Sequence, residues 1–157
     1  MANIVVPEYE SNSLHTLGKD WLLHVAKGAT VSAATWVLVG GQRGSTFSME
    51  ANEIDTGDKT TGGWGSTDAG IKSWSIELES MAVLNNEGAA ILKQQFLASE
   101  KAYVLFRHKD GEAYKGWVSI SGYEVDTPHD DVAGLTCTLN GVGAPIITDN
   151  EPDPLVP

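Results

Sequence analysis

Lys72-Ser73-Trp74-Ser75-Ile76-Glu77-Leu78-Glu79 decides the fold class. Its side chains alternate strictly, with Trp74, Ile76 and Leu78 on one side and Ser75, Glu77 and Glu79 on the other. A period of two belongs to a strand packed on one face and wetted on the other. The pattern recurs in both directions along the chain. Thr46–Ala51 places Phe47, Met49 and Ala51 on one face, and Trp21–Ala26, Trp36–Val39, Tyr103–Arg107, Tyr114–Val125 and Leu135–Asn140 read as further strands. Lys109-Asp110-Gly111-Glu112 is a hairpin turn, because Asp-Gly accepts positive φ. Gly116 and Gly122 mark bends or bulges in the strand after it. One stretch changes period. Ala89, Leu92 and Phe96 follow at helical spacing, behind N-cap side chains at Asn85 and Asn86 and a first-turn carboxylate at Glu87. This predicts one helix over about 86–98. The expectation is a mainly β domain, a β-sandwich or barrel with one flanking α-helix.

Between two of these strands runs a polar connection from about residue 52 to residue 70, rich in Gly, Thr and Asp. Connections beyond about 12–15 residues are usually functional or disordered. This one is too long for a hairpin turn and too polar for a core. Trp64 stands in its middle with no local apolar partner. It either folds back on its own domain or anchors an interface, where Trp is enriched.

The chain has 157 residues, the size of one domain, and its 41% hydrophobic and 20% charged content is that of a globular protein. Residues 1–18 read as an N-terminal arm, 19–144 as the β domain, and 145–157 as an acidic, Pro-rich C-terminal tail, extended and free of the domain. Met1–Glu8 lacks a basic region followed by a sustained apolar run, so no secretory signal is expected, and no apolar stretch is long enough for a membrane helix. The net charge of −11, with 10 basic against 21 acidic residues, argues against gripping nucleic acid or an anionic membrane. The lone Cys137 excludes an internal disulfide framework; it reads as a small buried hydrophobe.

Nothing assembles into a catalytic set. Asp55-Thr56-Gly57 matches the tripeptide of aspartic proteases, but its flanks are polar and a turn explains it better. Asp58-Lys59-Thr60 lacks the contiguous glycines of a phosphate loop. His15, His24, His108 and His129 share no metal-ligand spacing, and Asp126, Asp130 and Asp131 lack a calcium-loop pattern. No enzyme activity, cofactor or metal is expected.

Taken in order, several pieces resemble one family. They are Asn52-Glu53-Ile54-Asp55 with the Thr/Gly loop to Gly62-Gly63-Trp64, then Gly70-Ile71-Lys72-Ser73-Trp74-Ser75-Ile76, the helix with Ala89, Leu92 and Phe96, Val104-Leu105-Phe106-Arg107, the Asp110-Gly111 hairpin, Tyr114-Lys115-Gly116, Asp130-Asp131-Val132-Ala133 and Gly141-Val142-Gly143. Over about residues 20–143 the chain resembles the major tail tube proteins of long, non-contractile phage tails (siphophages). The resemblance implies a virion protein, made in the host cytoplasm, whose hexameric rings stack into a hollow tube with a continuous β-barrel lumen. It further implies partners: other copies of the chain, a tape-measure protein inside the tube, tail terminator and distal tail proteins at its ends, and double-stranded DNA that transits an acidic lumen without specific binding. No membrane partner is implied. Asn52, Glu53, Ile54, Asp55, Thr56, Asp58, Lys59, Thr60, Thr61, Trp64 and Asp68 would form the inter-ring contact loop. Pro7, Glu8, Tyr9, Asp149, Glu151 and Asp153 would be arm contacts. Similar folds serve contractile tails and type VI secretion, which gives one alternative; an immunoglobulin-like surface module using the Trp64 loop to hold a ligand such as a glycan is another.

Overall fold

A computed structural model describes residues 18–32, 34–60, 62–83 and 85–154. A single 3₁₀ turn at Gly18–Asp20 leads into β1 (Trp21–Lys27), β2 (Thr35–Leu38), β3 (Gln42–Asp55) and β4 (Thr67–Met81). Then come α1 (Glu87–Ala98), β5 (Lys101–His108), β6 (Ala113–Asp126) and β7 (Gly134–Thr148). The alternating segments form strands, as their period predicts, and join one antiparallel sheet in the order β2-β1-β5-β6-β7-β4-β3.

The sheet rolls until β3 approaches β1. Gln42 bridges the seam: its Oε1 accepts the Leu23 N–H at 2.9 Å, and its Nε2 donates to the Leu23 carbonyl at 2.9 Å. One side-chain amide thus satisfies a free stretch of strand edge, the groups that must be paired when buried. The result is an open barrel of one sheet rather than two stacked sheets. Trp21, Phe47, Phe106 and Tyr114 meet behind the seam, with Phe47 stacked on Tyr114 at a centroid distance of 4.3 Å.

Leu23, Val25, Trp74, Ile76, Leu78, Val104, Phe106, Val118, Leu135, Cys137 and Leu139 fill the interior. Burying each aliphatic side chain contributes about 1.5–3 kcal/mol. The helix plugs the lower end through Leu92, which is fully buried in this cluster. It starts at Glu87, and Asn86 does not cap it; the Asn86 Nδ2 donates instead to the Gly40 carbonyl at 3.2 Å, tying the helix start to the turn before β3. It ends at Ser99 in the left-handed region, φ 57°.

Both glycines singled out in β6 coincide with register shifts, between Lys115 and Trp117 and between Ile120 and Gly122. After the second shift the inward set passes from Val118 and Ile120 to Tyr123, which packs against the core, while Val125 near the strand's end is half exposed. The C-terminal boundary needs correction. β7 continues through Pro145 to Thr148, so the sheet extends past residue 144. Proline fits there because Gly143–Pro145 sit opposite the bulge at Gly116, where the ladder is interrupted.

Trp74 lies flat across β6 and β7. A Cβ on Gly141 would stand 2.1 Å from its ring, and one on Gly116 3.0 Å. The Trp74 Nε1–H donates to the Gly143 carbonyl at 2.8 Å, so the indole is both packed and hydrogen-bonded. Gly141→Ala should therefore cost about 1–3 kcal/mol and lower the thermal midpoint by several degrees, on the order of 5 °C. Gly44→Ala, where nothing lies within 4 Å, is the control and should leave the midpoint unchanged.

Candidate assembly surfaces

Strand register fixes the two ends of the barrel. The β3–β4 tip, the β5–β6 turn and the start of β1 lie at the upper end. The β1–β2 turn, the β6–β7 turn and α1 lie at the lower end.

The polar connection is shorter than its composition implies. Pairing continues through Glu53↔Ala69, Ile54↔Asp68 and Asp55↔Thr67, after a register shift between Ala51 and Glu53. Glu53, Ile54, Asp55 and Asp68 are thus ladder residues of a projecting β-hairpin, with Asn52 at the register shift, and the tip is confined to residues between 56 and 66. Beyond β4 residue Trp74, nothing on this hairpin is buried; the ladder and local turns hold it. Thr56 N–H donates to the Ser66 carbonyl at 2.9 Å, and the two hydroxyls pair at 2.9 Å. The Asp55 carboxylate accepts the Gly57 N–H at 2.9 Å, and that of Asp58 accepts the Thr60 N–H at 2.7 Å. Asp55-Thr56-Gly57 is therefore an exposed turn. Trp64 does not fold back: it is 83% exposed, on a hairpin that also carries Lys59 and the acids at 55, 58 and 68. Thr61 lies outside the described residues, as do Pro7, Glu8, Tyr9 and His15.

At the hairpin's base, Met49, Ala51, Ile71, Pro145 and Ile147 line an apolar trough of about 850 Å³ against Trp74. Phe47, Met49 and Ala51 share a face, but only Phe47 reaches the core; Met49 and Ala51 are exposed in this trough.

The outer face divides into two halves. Across β3, β4, β7 and β6 run rows of small polar and acidic residues: Ser48–Ser75–Asn140–Ser119, Thr46–Glu77–Thr138–Gly122 and Glu79–Thr136–Glu124. Across β2, β1, β5 and β6 the face is aromatic and cationic. Trp36 stacks on Tyr103 at 5.5 Å, and Tyr103 meets Trp117 edge-on at 5.1 Å. Above them stand Arg107 and Lys115.

The C-terminal segment straps this second half. Glu151 N–H donates to the Gly111 carbonyl at 2.9 Å, Arg107 Nε–H to the Glu151 carbonyl at 3.0 Å, and Lys115 Nζ pairs with the Glu151 carboxylate at 3.2 Å. Gly111 is required here: its φ is 113°, and a Cβ would stand 3.0 Å from the Asp149 carbonyl oxygen. So residues 149–154 are not a free tail. Glu151, expected as an arm contact, is engaged within its own chain, and Asp153 faces His24 closely enough to act on it. No spacing in the sequence announces this, because the partners lie 36 and 44 positions apart.

His24 is 3% exposed, and its Nδ1 has no hydrogen-bond partner among the described residues. Burial pushes its pKa below the ordinary value, opposed by a backbone hydrogen bond at Leu105 and the Asp153 carboxylate and assisted by Arg107. Cys137 is fully buried in the core, and burial pushes its thiol up to about 11, which makes it inert. Among the described residues no group of His, Cys, Asp and Glu is arranged to hold a metal ion.

A rolled antiparallel sheet with a helix plug and a projecting hairpin is the fold of tail-tube subunits. The structure is similar to a chain in the tail of an empty gene transfer agent particle refined with C6 symmetry (TM-score 0.73, 20% identity, 85% of this chain and 99% of that one). It is also similar to the SPP1 tail tube (TM-score 0.69, 14% identity, 88% and 81%). A third likeness is to a chain of the anti-feeding prophage baseplate (TM-score 0.66, 13% identity, 87% and 97%). At these identities the likeness is one of fold. No curated protein matches the chain. The chain belongs to the phage tail tube protein family, whose sequence pattern matches residues 15–146.

The buried imidazole gives a pH test. A lowered pKa means that the fold favours neutral His24, while the unfolded chain takes up its proton near 6.5. The His24 contribution is thus full above that value and is lost as pH falls from it toward the folded-state pKa. Between about pH 7.5 and about pH 5 the thermal midpoint should fall, and it should fall less in His24→Gln. Equal slopes in the two proteins would refute the assignment.

Proposed function

We propose that this chain is the tube subunit of a long, non-contractile phage tail. Six copies would close a ring, and rings would stack into a hollow tube through which the genome passes. The C6 symmetry of the gene transfer agent tail supports the ring number. The observation that carries the reading is the one-sided outer face. A conduit needs a wall that is wetted, free of bulky apolar groups and repellent to its passenger. The rows containing Glu77, Glu79 and Glu124 among Ser, Thr and Asn supply such a wall. DNA carries one negative charge per about 1.7 Å of duplex axis, so an acidic lining lets it slide without sticking. We assign this half of the face to the lumen. A tape-measure protein during assembly, with terminator and distal proteins capping the ends, completes the set of partners.

Two measurements test the proposal. Electron microscopy of concentrated protein should show hollow tubes with six-fold end views; only monomers, even with tail-assembly partners present, would contradict it. A tube that recruits a contractile sheath would move the chain to the contractile class. In assembled phage, the triple variant Glu77→Lys, Glu79→Lys, Glu124→Lys should still form tubes but slow DNA ejection, most strongly at low salt where charges are least screened. Unchanged ejection would place these residues away from the channel.

A further inference from the structure

The lower end of the barrel carries a cavity of about 540 Å³ between α1 and the β1–β2 turn. Val31, Ala90, Gln94, Lys101, Tyr103 and Trp117 are among the residues that line it. Its walls are apolar and aromatic, with the polar ends of Gln94 and Lys101 at hand. It uses nothing from the hairpin of its own chain, whose tip lies at the opposite end of the barrel. Both ends expose apolar side chains: Ile54 and Trp64 above, Val31, Val83, Leu97, Val125 and Val132 below. Apolar side chains exposed at two opposite ends suit head-to-tail contact.

We propose that this cavity is the receptor for the hairpin tip of a second copy, with the indole of Trp64 as the inserted group. The proposal rests on the tube reading above and adds to it the surface that receives the hairpin. Three observations favour this occupant. Trp64 is the most exposed large apolar side chain described, 83% accessible at the end of a stiff two-stranded lever. Tyr103 and Trp117 are among the cavity's lining residues, so an entering indole would meet aromatic partners in place of water. The charges lean the same way: Glu53, Asp55, Asp58 and Asp68 outnumber Lys59 on the hairpin, while at the cavity Lys27 is paired with Glu87 and Lys101 leaves one net positive charge. Because donor and receptor lie at opposite ends of one subunit, the contact is heterologous and leaves a free donor and a free receptor after each addition. That is the condition for open-ended stacking.

The inference is tested by cross-linking in the full-length chain. Trp64→Cys together with Ala90→Cys places one thiol on the tip and one on the exposed helix face of the cavity. The native Cys137 is buried with its thiol pushed up to about 11, so it does not compete. Within one chain the two positions are at opposite ends, so a disulfide must join two copies. Mild oxidation of assembled tubes should give a ladder of covalent multimers, absent from either single variant. Trp64→Ala and Ala90→Glu should each raise the protein concentration needed for assembly by about tenfold or more, while leaving the thermal midpoint of the monomer in place. Tubes that form normally from both variants, with no ladder from the double-cysteine chain, would overturn the receptor assignment and leave the tube reading intact. If the unmodified chain builds no tubes at all, the tube reading falls and the contact falls with it.

Discussion

The rest of the structure depends on the seat of Trp74. Its ring lies where side chains at positions 141 and 116 would otherwise be, and its N–H is satisfied by the Gly143 carbonyl. This one residue fastens β4 to the two strands that follow it in the sheet, β7 and β6. It also marks where burial ends on the hairpin. Below Trp74, β4 buries Ile76, Leu78 and Ser80; above it, the same strand continues with exposed residues only, apart from half-buried Gly70. The hairpin is therefore a cantilever clamped at Trp74 and Phe47, which pack together at 5.8 Å. Its ladder hydrogen bonds keep it straight, but its direction is set by the clamp. A part meant to reach another molecule gains from this arrangement, because little ordering remains to be done on contact.

The outer face shows the same separation of duties. One half is built from hydroxyls, amides and carboxylates. The other half concentrates Trp36, Tyr103, Trp117, Arg107 and Lys115, and the chain lays its own C-terminal segment over the cationic part. An ion pair between exposed groups contributes little. Glu151 and Lys115 are only partly exposed, and the Arg107 and Gly111 backbone bonds act alongside them. The strap therefore owes its position to several modest contacts converging on one residue.

Much of the fold was legible in the sequence, because a half-buried strand must alternate and a plug helix must not. Trp74, Ile76 and Leu78 face inward as their spacing requires, and Asp110-Gly111 turns as its chemistry requires. The reading failed where no side chain is buried. Asn52, Glu53, Asp55, Thr67 and Asp68 form strand through backbone pairing alone, across a register shift, so no hydrophobic period records it. The apparent long loop was a hairpin with a polar ladder. Pro145 looked like the end of regular structure because a proline removes a ladder bond; the Gly116 bulge on the neighbouring strand removes the need for it. Asn86 looked like a cap, yet its amide is drawn to Gly40, a partner 46 residues away. The family resemblance implied contacts through the hairpin and said nothing of the strap, whose partners meet only after folding.

A chain with a long exposed strand edge must avoid indiscriminate pairing. β3 is a long edge strand, and an unguarded edge of that length invites aggregation. Three features restrain it. Register shifts at Gln42/Gly44 and Ala51/Glu53 interrupt the regular run of free donors and acceptors. Glu50, Glu53 and Asp55 add like charges that repel a second β3 laid alongside. The seam contact of Gln42 with Leu23 occupies the lower end. What remains regular is the run from Gly44 to Ala51, closed at its upper end by the carboxylates of Glu50, Glu53 and Asp55. The edge itself thus disfavours an isologous β3–β3 contact relative to a heterologous one.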